Sequence, residues 1–388
     1  MSRGFLHSPA FVRIWCLSLA AGVAGFQIFP TAPLRLAELG APASAAGSFL
    51  AALTFSSAGA AAWTGGLGDR LGRRRVLTAA AALLALLGAL AALPLPWPLF
   101  VALAVPYGVV WSALLTSASA EAARIVPVAR RAEGLAYHGL AMTAAIAVAP
   151  ALGFVLLAID WRALTASLVL ANGVAALLAR GLPADAPLPP RALAGLAGRG
   201  AVEWRVLGLS SVLFACSFGY GGTTSFVALL SRERGIRPES AYFTAFAIAV
   251  FALRPLTAPW VDRVGPRRAL PWCILAVAAA LAWLPLQRTA AGIAAGGLLL
   301  GAGFSTLYPA FSTLVLSRIG AERRGAAFGA MLAAFDVGIG GGSLAFGPVV
   351  EEWGYGAAFG GSALLALAAW PLLARGLRRW DRDAAADG

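Results

Sequence analysis

The sequence predicts an all-α membrane protein with twelve transmembrane helices in two pseudo-symmetric six-helix lobes. Three observations carry that reading. Hydrophobic residues make up 60% of the 388-residue chain and charged residues only 12%, whereas a soluble domain carries about a quarter charged residues. The apolar residues fall in blocks of about 20, the length that crosses a bilayer core as a helix. A charged link between two of these blocks also returns in altered form. It reads Gly65-Gly66-Leu67-Gly68-Asp69-Arg70-Leu71-Gly72-Arg73-Arg74-Arg75-Val76, then Ala258-Pro259-Trp260-Val261-Asp262-Arg263-Val264-Gly265-Pro266-Arg267-Arg268, with the aspartates 193 positions apart.

Taken in order, the spans are 11–34, 44–64, 76–95, 98–120, 134–159, 163–179, 206–230, 241–260, 269–286, 290–316, 326–350 and 356–374. Arg3 and Arg13 flank the start of an apolar run over Phe11–Phe29, as in a secretory leader. Similar runs fill the rest of the chain, so this one reads as a retained first span. Several spans contain Pro or Gly, which membrane helices tolerate. Residues 180–205 are less apolar and include Pro183, Pro187, Pro189 and Pro190. They read as a linker between a first lobe, 1–179, and a second, 206–388.

Arginine placement orients the spans. Counted on alternate sides, 23 of the 30 arginines fall on one side and 6 on the other, with Arg254 inside a span. Positive charge collects on the cytoplasmic side, which puts both termini and the linker there and requires an even number of spans. The duplication extends beyond the charged link. Arg131-Ala132-Glu133-Gly134 opens span five and Glu322-Arg323-Arg324-Gly325 opens span eleven, while Asp160-Trp161-Arg162 and Glu351-Glu352-Trp353 close them.

Other function classes are excluded. The net charge of +13 is all arginine, scattered between apolar blocks rather than gathered on one face or tail, so no nucleic-acid partner follows. Cys16, Cys216 and Cys273 lie in apolar segments without metal-ligand spacing, so neither a metal site nor a disulfide framework is expected. The run Gly338-Ile339-Gly340-Gly341-Gly342 lacks the preceding strand and the following Lys-Ser or Lys-Thr of a phosphate loop. Gly338 and Gly342 instead share a helix face and permit close contact. No Ser–His–Asp grouping occurs, so neither an enzyme nor a cofactor is expected.

On these residues the chain resembles the major facilitator superfamily over its whole length, and most nearly its bacterial efflux-like branch. Gly65, Leu67, Asp69, Arg70, Gly72, Arg73 and Arg74 match that family's loop 2–3 signature, G-x-L-x-D-R-x-G-R-R. The resemblance implies a monomeric secondary transporter in the cytoplasmic (inner) membrane that works by alternating access on a small-molecule substrate, with protons as a coupling partner. Two features of the efflux pattern are absent. Span four holds no Arg, and Ala149-Pro150-Ala151-Leu152-Gly153 resembles only the end of the span-five Gly-Pro run. Export of a small amphipathic solute is the first reading. Uptake by a symporter of the same fold, or a ligand-sensing receptor without flux, are the alternatives.

Candidate residues follow. Ionised Asp69 only accepts hydrogen bonds and suits a helix N-terminus, while Arg70, Arg73 and Arg74 can fork onto carboxylates or carbonyls. With Gly65 and Gly72 they make a polar latch at the cytoplasmic face, and the resemblance implies that it gates. Asp262, Arg263, Gly265 and Arg267 form the second copy, in which Ala258 replaces the first Gly. Asp336 lies 11 residues into span eleven, roughly 16 Å at the helical rise. A carboxylate at that depth costs about 3 kcal/mol on insertion scales and is a functional hypothesis. Arg254 lies at similar depth and can pair with it. Asp336 is a candidate for a coupling proton or a cationic substrate group. His138 and the Glu121–Arg124 pair read as helix-end residues. Spans one, four, seven and ten line the path in the family, which selects Gln27, Trp111, Ser112, Thr116, Tyr220, Thr223, Thr224, Tyr308 and Ser312 as cavity candidates.

Overall fold

The computed structural model describes residues 4–64, 66–127, 130–183, 204–319 and 324–386, and the regular structure among them is all helical. The first half forms α1 (Pro9–Glu38), α2 (Ser48–Thr64), a short α3 (Leu67–Leu71), α4 (Arg73–Leu90), α5 (Trp97–Ala102), α6 (Ala104–Ile125), α7 (Arg131–Ile159) and α8 (Trp161–Arg180). The second forms α9 (Trp204–Leu209), α10 (Ser211–Glu233), α11 (Ala241–Val264), α12 (Pro266–Trp283), α13 (Ala290–Leu316) and α14 (Arg324–Ala386). Within α14, Gly354 breaks the helix with φ 78 and ψ 173, separating spans eleven and twelve.

Eight stretches among the described residues are long and apolar enough to cross a membrane, and the last, Gly329–Arg378, carries two spans. With α2, α4 and α11 this gives twelve transmembrane helices, six in each half. Span four is divided at Leu103 between α5 and α6. Pro106 has no N–H to offer the carbonyl of Ala102, so the ladder lapses there. Helix starts are set locally. The Ser8 hydroxyl accepts from the Phe11 N–H at 3.3 Å, and that of Thr289 from the Gly292 N–H at 3.1 Å, satisfying donors that a helix leaves open.

The chain divides into two compact units, Met1–Ala41 with Ala52–Gly198, and Pro42–Ala51 with Arg199–Gly388. The expected linker lies outside the described residues except at its two ends. The sequence did not announce that Pro42–Ala51 packs with the second unit. Helix α2 is continuous across this division, its first turn in one unit and the rest in the other.

In the first unit α1 packs on α7 and α8, and α4 on α6 and α8. In the second, α10 packs on α14, α11 on α13, and α12 on both α13 and α14. Small residues make these approaches possible. A Cβ on Gly342 would land on the carbonyl oxygen of Phe218, and one on Gly221 on that of Ile339. Helices α10 and α14 therefore touch backbone to backbone, the geometry small residues allow where lipid supplies no hydrophobic drive. Outward faces carry Ile159, Leu170, Leu177 and Leu364, all exposed, as suits contact with acyl chains.

Candidate functional site

The charged link folds as α3, a glycine turn and the start of α4. Gly72 has φ 91 and ψ 129, a region that side chains avoid, and Gly265 has φ 83 and ψ 147 at the equivalent place in the second copy. In the first copy, Arg73 Nη2 donates to Asp69 Oδ1 at 2.7 Å, one turn away, and Arg73 Nη1 reaches the carbonyl of Ala120 on α6 at 3.3 Å. Gly68 leaves room for this, since a Cβ there would lie 3.1 Å from Arg73 Cγ and 3.3 Å from Ser117 Oγ. Asp69 thus fastens α3 to α4 and, through Arg73, to α6, within its own unit rather than at a distant helix N-terminus. Arg70, Arg74 and Arg75 are exposed. Gly65 lies outside the described residues. So does the side chain of Asp262, while Arg263 and Arg267 are exposed.

Next to the latch, Glu121 is fully buried and accepts twice from Arg124, at 2.8 and 2.6 Å. The local pair read from their spacing forms, with the carboxylate turned into the unit. His138 is buried rather than facing headgroups; nothing in the sequence signalled that.

Of the first unit's cavity candidates, Gln27, Trp111 and Ser112 are packed side chains and Thr116 is half-buried. Gln27 is fully buried, donates to the Val23 carbonyl at 3.0 Å and accepts from Ser167 Oγ on α8 at 3.2 Å, with Gly153 of α7 closing over its backbone. Trp111 lies against Gly25 and meets the rings of Phe26 and Phe29 edge-on at 6.2 and 6.3 Å. Ser112 Oγ lies 3.1 Å from Thr64 Oγ1, and Thr116 bonds back to the Ser112 carbonyl at 2.8 Å. Each of these polar groups finds a partner one turn away or on the next helix.

The second unit is different. Thr223 and Thr224 turn back on the carbonyls of Gly219 and Tyr220, at 2.7 and 2.8 Å, and both are buried; Ser312 does the same to Pro309 at 3.0 Å. The aromatic residues do not disappear into the core. Tyr220 of α10 stacks on Phe304 of α13 at 4.6 Å, Phe304 meets Phe335 of α14 at 5.6 Å, and Phe335 meets Tyr308 edge-on at 5.7 Å. All four are only half-buried, in contrast to Tyr242, Phe226, Phe311 and Phe346, which are sealed in. Asp336 follows Phe335 in α14, is itself half-buried, and its charge bears on Tyr308. Among the described residues it has no ion pair or hydrogen bond. Arg254 is on α11, but its side chain lies outside the described residues. Phe304 and Phe335 were not singled out from sequence; their spacing from Tyr308 and Asp336 on two facing helices was the available signal.

A separate groove of about 610 Å³ runs over Ile248, Leu253, Trp283 and Leu298. Its lining is apolar, so it offers no group to orient a polar solute. No cluster of three or more metal-type ligands occurs among the described residues.

Comparison with known proteins gives a consistent picture. The family model described as Major Facilitator Superfamily matches residues 14–242 and 209–386. An uncharacterised MFS-type transporter of Salmonella typhimurium (strain LT2) is 28% identical over 316 residues, 79% of each chain. Among solved structures, a D-xylose–proton symporter superposes with a TM-score of 0.74 at 17% identity, covering 94% of this chain and 96% of that one. The human organic anion transporter MFSD10 gives 0.67 at 19% identity, covering 94% and 99%. At these identities the structures speak for the fold alone.

Proposed function

This chain belongs to the Major Facilitator Superfamily, a family of multi-pass membrane transporters rather than enzymes, and we propose that it is a proton-coupled exporter of a small amphipathic solute. Alternating access between its two lobes, 1–179 and 206–388, moves the solute. The arginine distribution favours both termini and the 180–205 linker on the cytoplasmic face of the cell's inner membrane, with the protein working there as a monomer of the efflux-like branch.

The observation that carries the coupling is Asp336, a carboxylate in the membrane-spanning part of α14 beside the open aromatic wall. A group that can hold a proton at that depth can exchange it between the two sides. A gradient of one pH unit supplies about 1.4 kcal/mol per proton, whatever charge the solute carries. Asp69, Arg73 and the Ala120 carbonyl supply the cytoplasmic latch; the second copy keeps Asp262, Arg263, Gly265 and Arg267 but has Pro266 where the first has Arg73, so it serves as a weaker gate.

Proteoliposomes test this reading. With the lumen more acidic than the bath, an exporter inserted inside-out accumulates amphipathic probes in the lumen. A panel of one cation, one neutral and one anion should yield at least one that accumulates and is released by a protonophore. Asp336→Asn should remove the proton drive by about tenfold or more. Accumulation only with the bath more acidic would assign uptake instead, and binding without counterflow would make the chain a receptor.

A further inference from the structure

We propose that Asp336 and the half-buried aromatic wall of Tyr220, Phe304, Tyr308 and Phe335 form a binding site for a monovalent organic cation with an aromatic or apolar body. This rests on the transporter reading and names the substrate class it leaves open.

The four rings come from three helices, α10, α13 and α14, and are joined in one series at 4.6, 5.6 and 5.7 Å between centroids. Tyr242, Phe226, Phe311 and Phe346 of the same unit are sealed, and Phe214 and Phe218 are half-buried but adjoin no acidic residue in sequence. The four rings of the wall keep part of their surface accessible, beside a carboxylate with no ion pair or hydrogen bond among the described residues. Ring faces attract cations through their quadrupole, and a carboxylate adds full charge attraction where water is scarce. An anionic solute would be repelled by Asp336, and a neutral one would leave it unpaired. A lipophilic cation satisfies the rings and the carboxylate together.

The position of Asp336 on α14 fits this role. Gly338 and Gly342 turn to α10, a Cβ on either meeting the backbone of Phe214 or Phe218. Successive residues on a helix point about 100° apart, so Asp336 lies about 160° round α14 from Gly338, turned away from the α10 contact and left out of it. The titratable groups on neighbouring helices are Cys216, Tyr220, Arg232 and Glu233 on α10, Cys273, Arg267 and Arg268 on α12, and Tyr308 on α13, with Tyr242, Arg254, Asp262 and Arg263 on α11. Proton and organic cation then compete for one carboxylate, and each turnover exchanges one for the other.

Full-length protein in nanodiscs is titrated with 1-methyl-4-phenylpyridinium. Wild type should bind it saturably, and biphenyl-4-methanol, its uncharged counterpart, should not displace it. Asp336→Asn should weaken binding by about tenfold or more, the scale for removing one partner of a desolvated charge pair, while Asp336→Glu should stay within about threefold of wild type. Phe335→Leu should cost about threefold through the lost ring face. Elution profile and melting temperature establish that each variant is folded. If Asp336→Asn is not, Asp336→Glu and the uncharged competitor decide. The proposal is overturned if Asp336→Asn binds as tightly as wild type, or if biphenyl-4-methanol competes equally. It is also overturned if only Arg254→Ala binds the cation, which would make Arg254 the carboxylate's partner. Cation binding without flux in proteoliposomes would sink the export reading and leave this site standing. Flux of other solutes with no cation binding would do the reverse.

Discussion

Gly72 and Gly265 stand at the same point of the two halves, with φ 91, ψ 129 and φ 83, ψ 147. Trp161 and Trp353 also stand at equivalent points, yet they share nothing but type. Trp161 is buried, donates to the Ala91 carbonyl at 2.8 Å, meets Phe100 edge-on at 5.7 Å and has the Arg35 guanidinium 5.2 Å above its ring. Trp353 is 66% exposed. The interiors diverge in the same way. Gln27 and Trp111 are locked into the first unit, whereas the second keeps four rings and a carboxylate accessible. A turn that needs a positive φ leaves only glycine as a comfortable choice, so both copies kept it. Side chains whose partners could be replaced were free to differ.

Thermal denaturation of the purified protein can break this comparison. The largest effect is expected for Trp161→Ala, about 3 kcal/mol from lost packing and a carbonyl left unpaired. Trp353→Ala should change stability by under about 0.5 kcal/mol, as exposed positions do. Equal losses at the two tryptophans would mean that the halves have not diverged here. Next comes Gly342→Ala, about 2 kcal/mol, because its methyl meets backbone that cannot yield. Gly22→Ala in the first unit should cost less, since its methyl would meet Ala145 Cβ at 2.7 Å, a milder overlap than that at Gly342. Gly72→Ala and Gly265→Ala should each lose about 1–2 kcal/mol of backbone strain. Nothing lies within 4 Å of a Cβ at Gly265, so a neutral result there would show that its φ does not matter. Among the losses expected to be measurable, Asp69→Asn comes last, about 0.5 kcal/mol for a part-exposed ion pair. Its larger effect should appear in transport, where a latch acts and a mere topological charge would not.

The twelve spans were legible because membrane helices need long apolar blocks, and most boundaries fall within a few residues of the observed ones. The glycine contact of Gly338 and Gly342 was legible from their spacing. The break at Leu103 was not, although Pro106 explains it once seen. The proposed site was half legible. Asp336 stood out because a charge inside a span is costly, and Tyr220 and Tyr308 because they are polar aromatics in the path-lining spans. Phe304 and Phe335 looked like any apolar residue, since exposure inside a lobe leaves no mark on composition. The packing of Pro42–Ala51 with the second unit was invisible, because it depends on contacts some 300 positions away.

That distant packing has a consequence for how the protein is made. The N–H of Ser44 donates to Glu351 at 3.0 Å across 307 positions, and Ser343 Oγ donates to the Gly47 carbonyl at 2.7 Å across 296. Ser343 is held in turn by Ser225 at 2.6 Å. During synthesis at about 5–20 residues per second, the start of α2 emerges long before the residues that receive it. The first half therefore inserts with one of its own helix ends unplaced. It waits for the eleventh span, and a late step of assembly returns to one of the earliest turns of the chain.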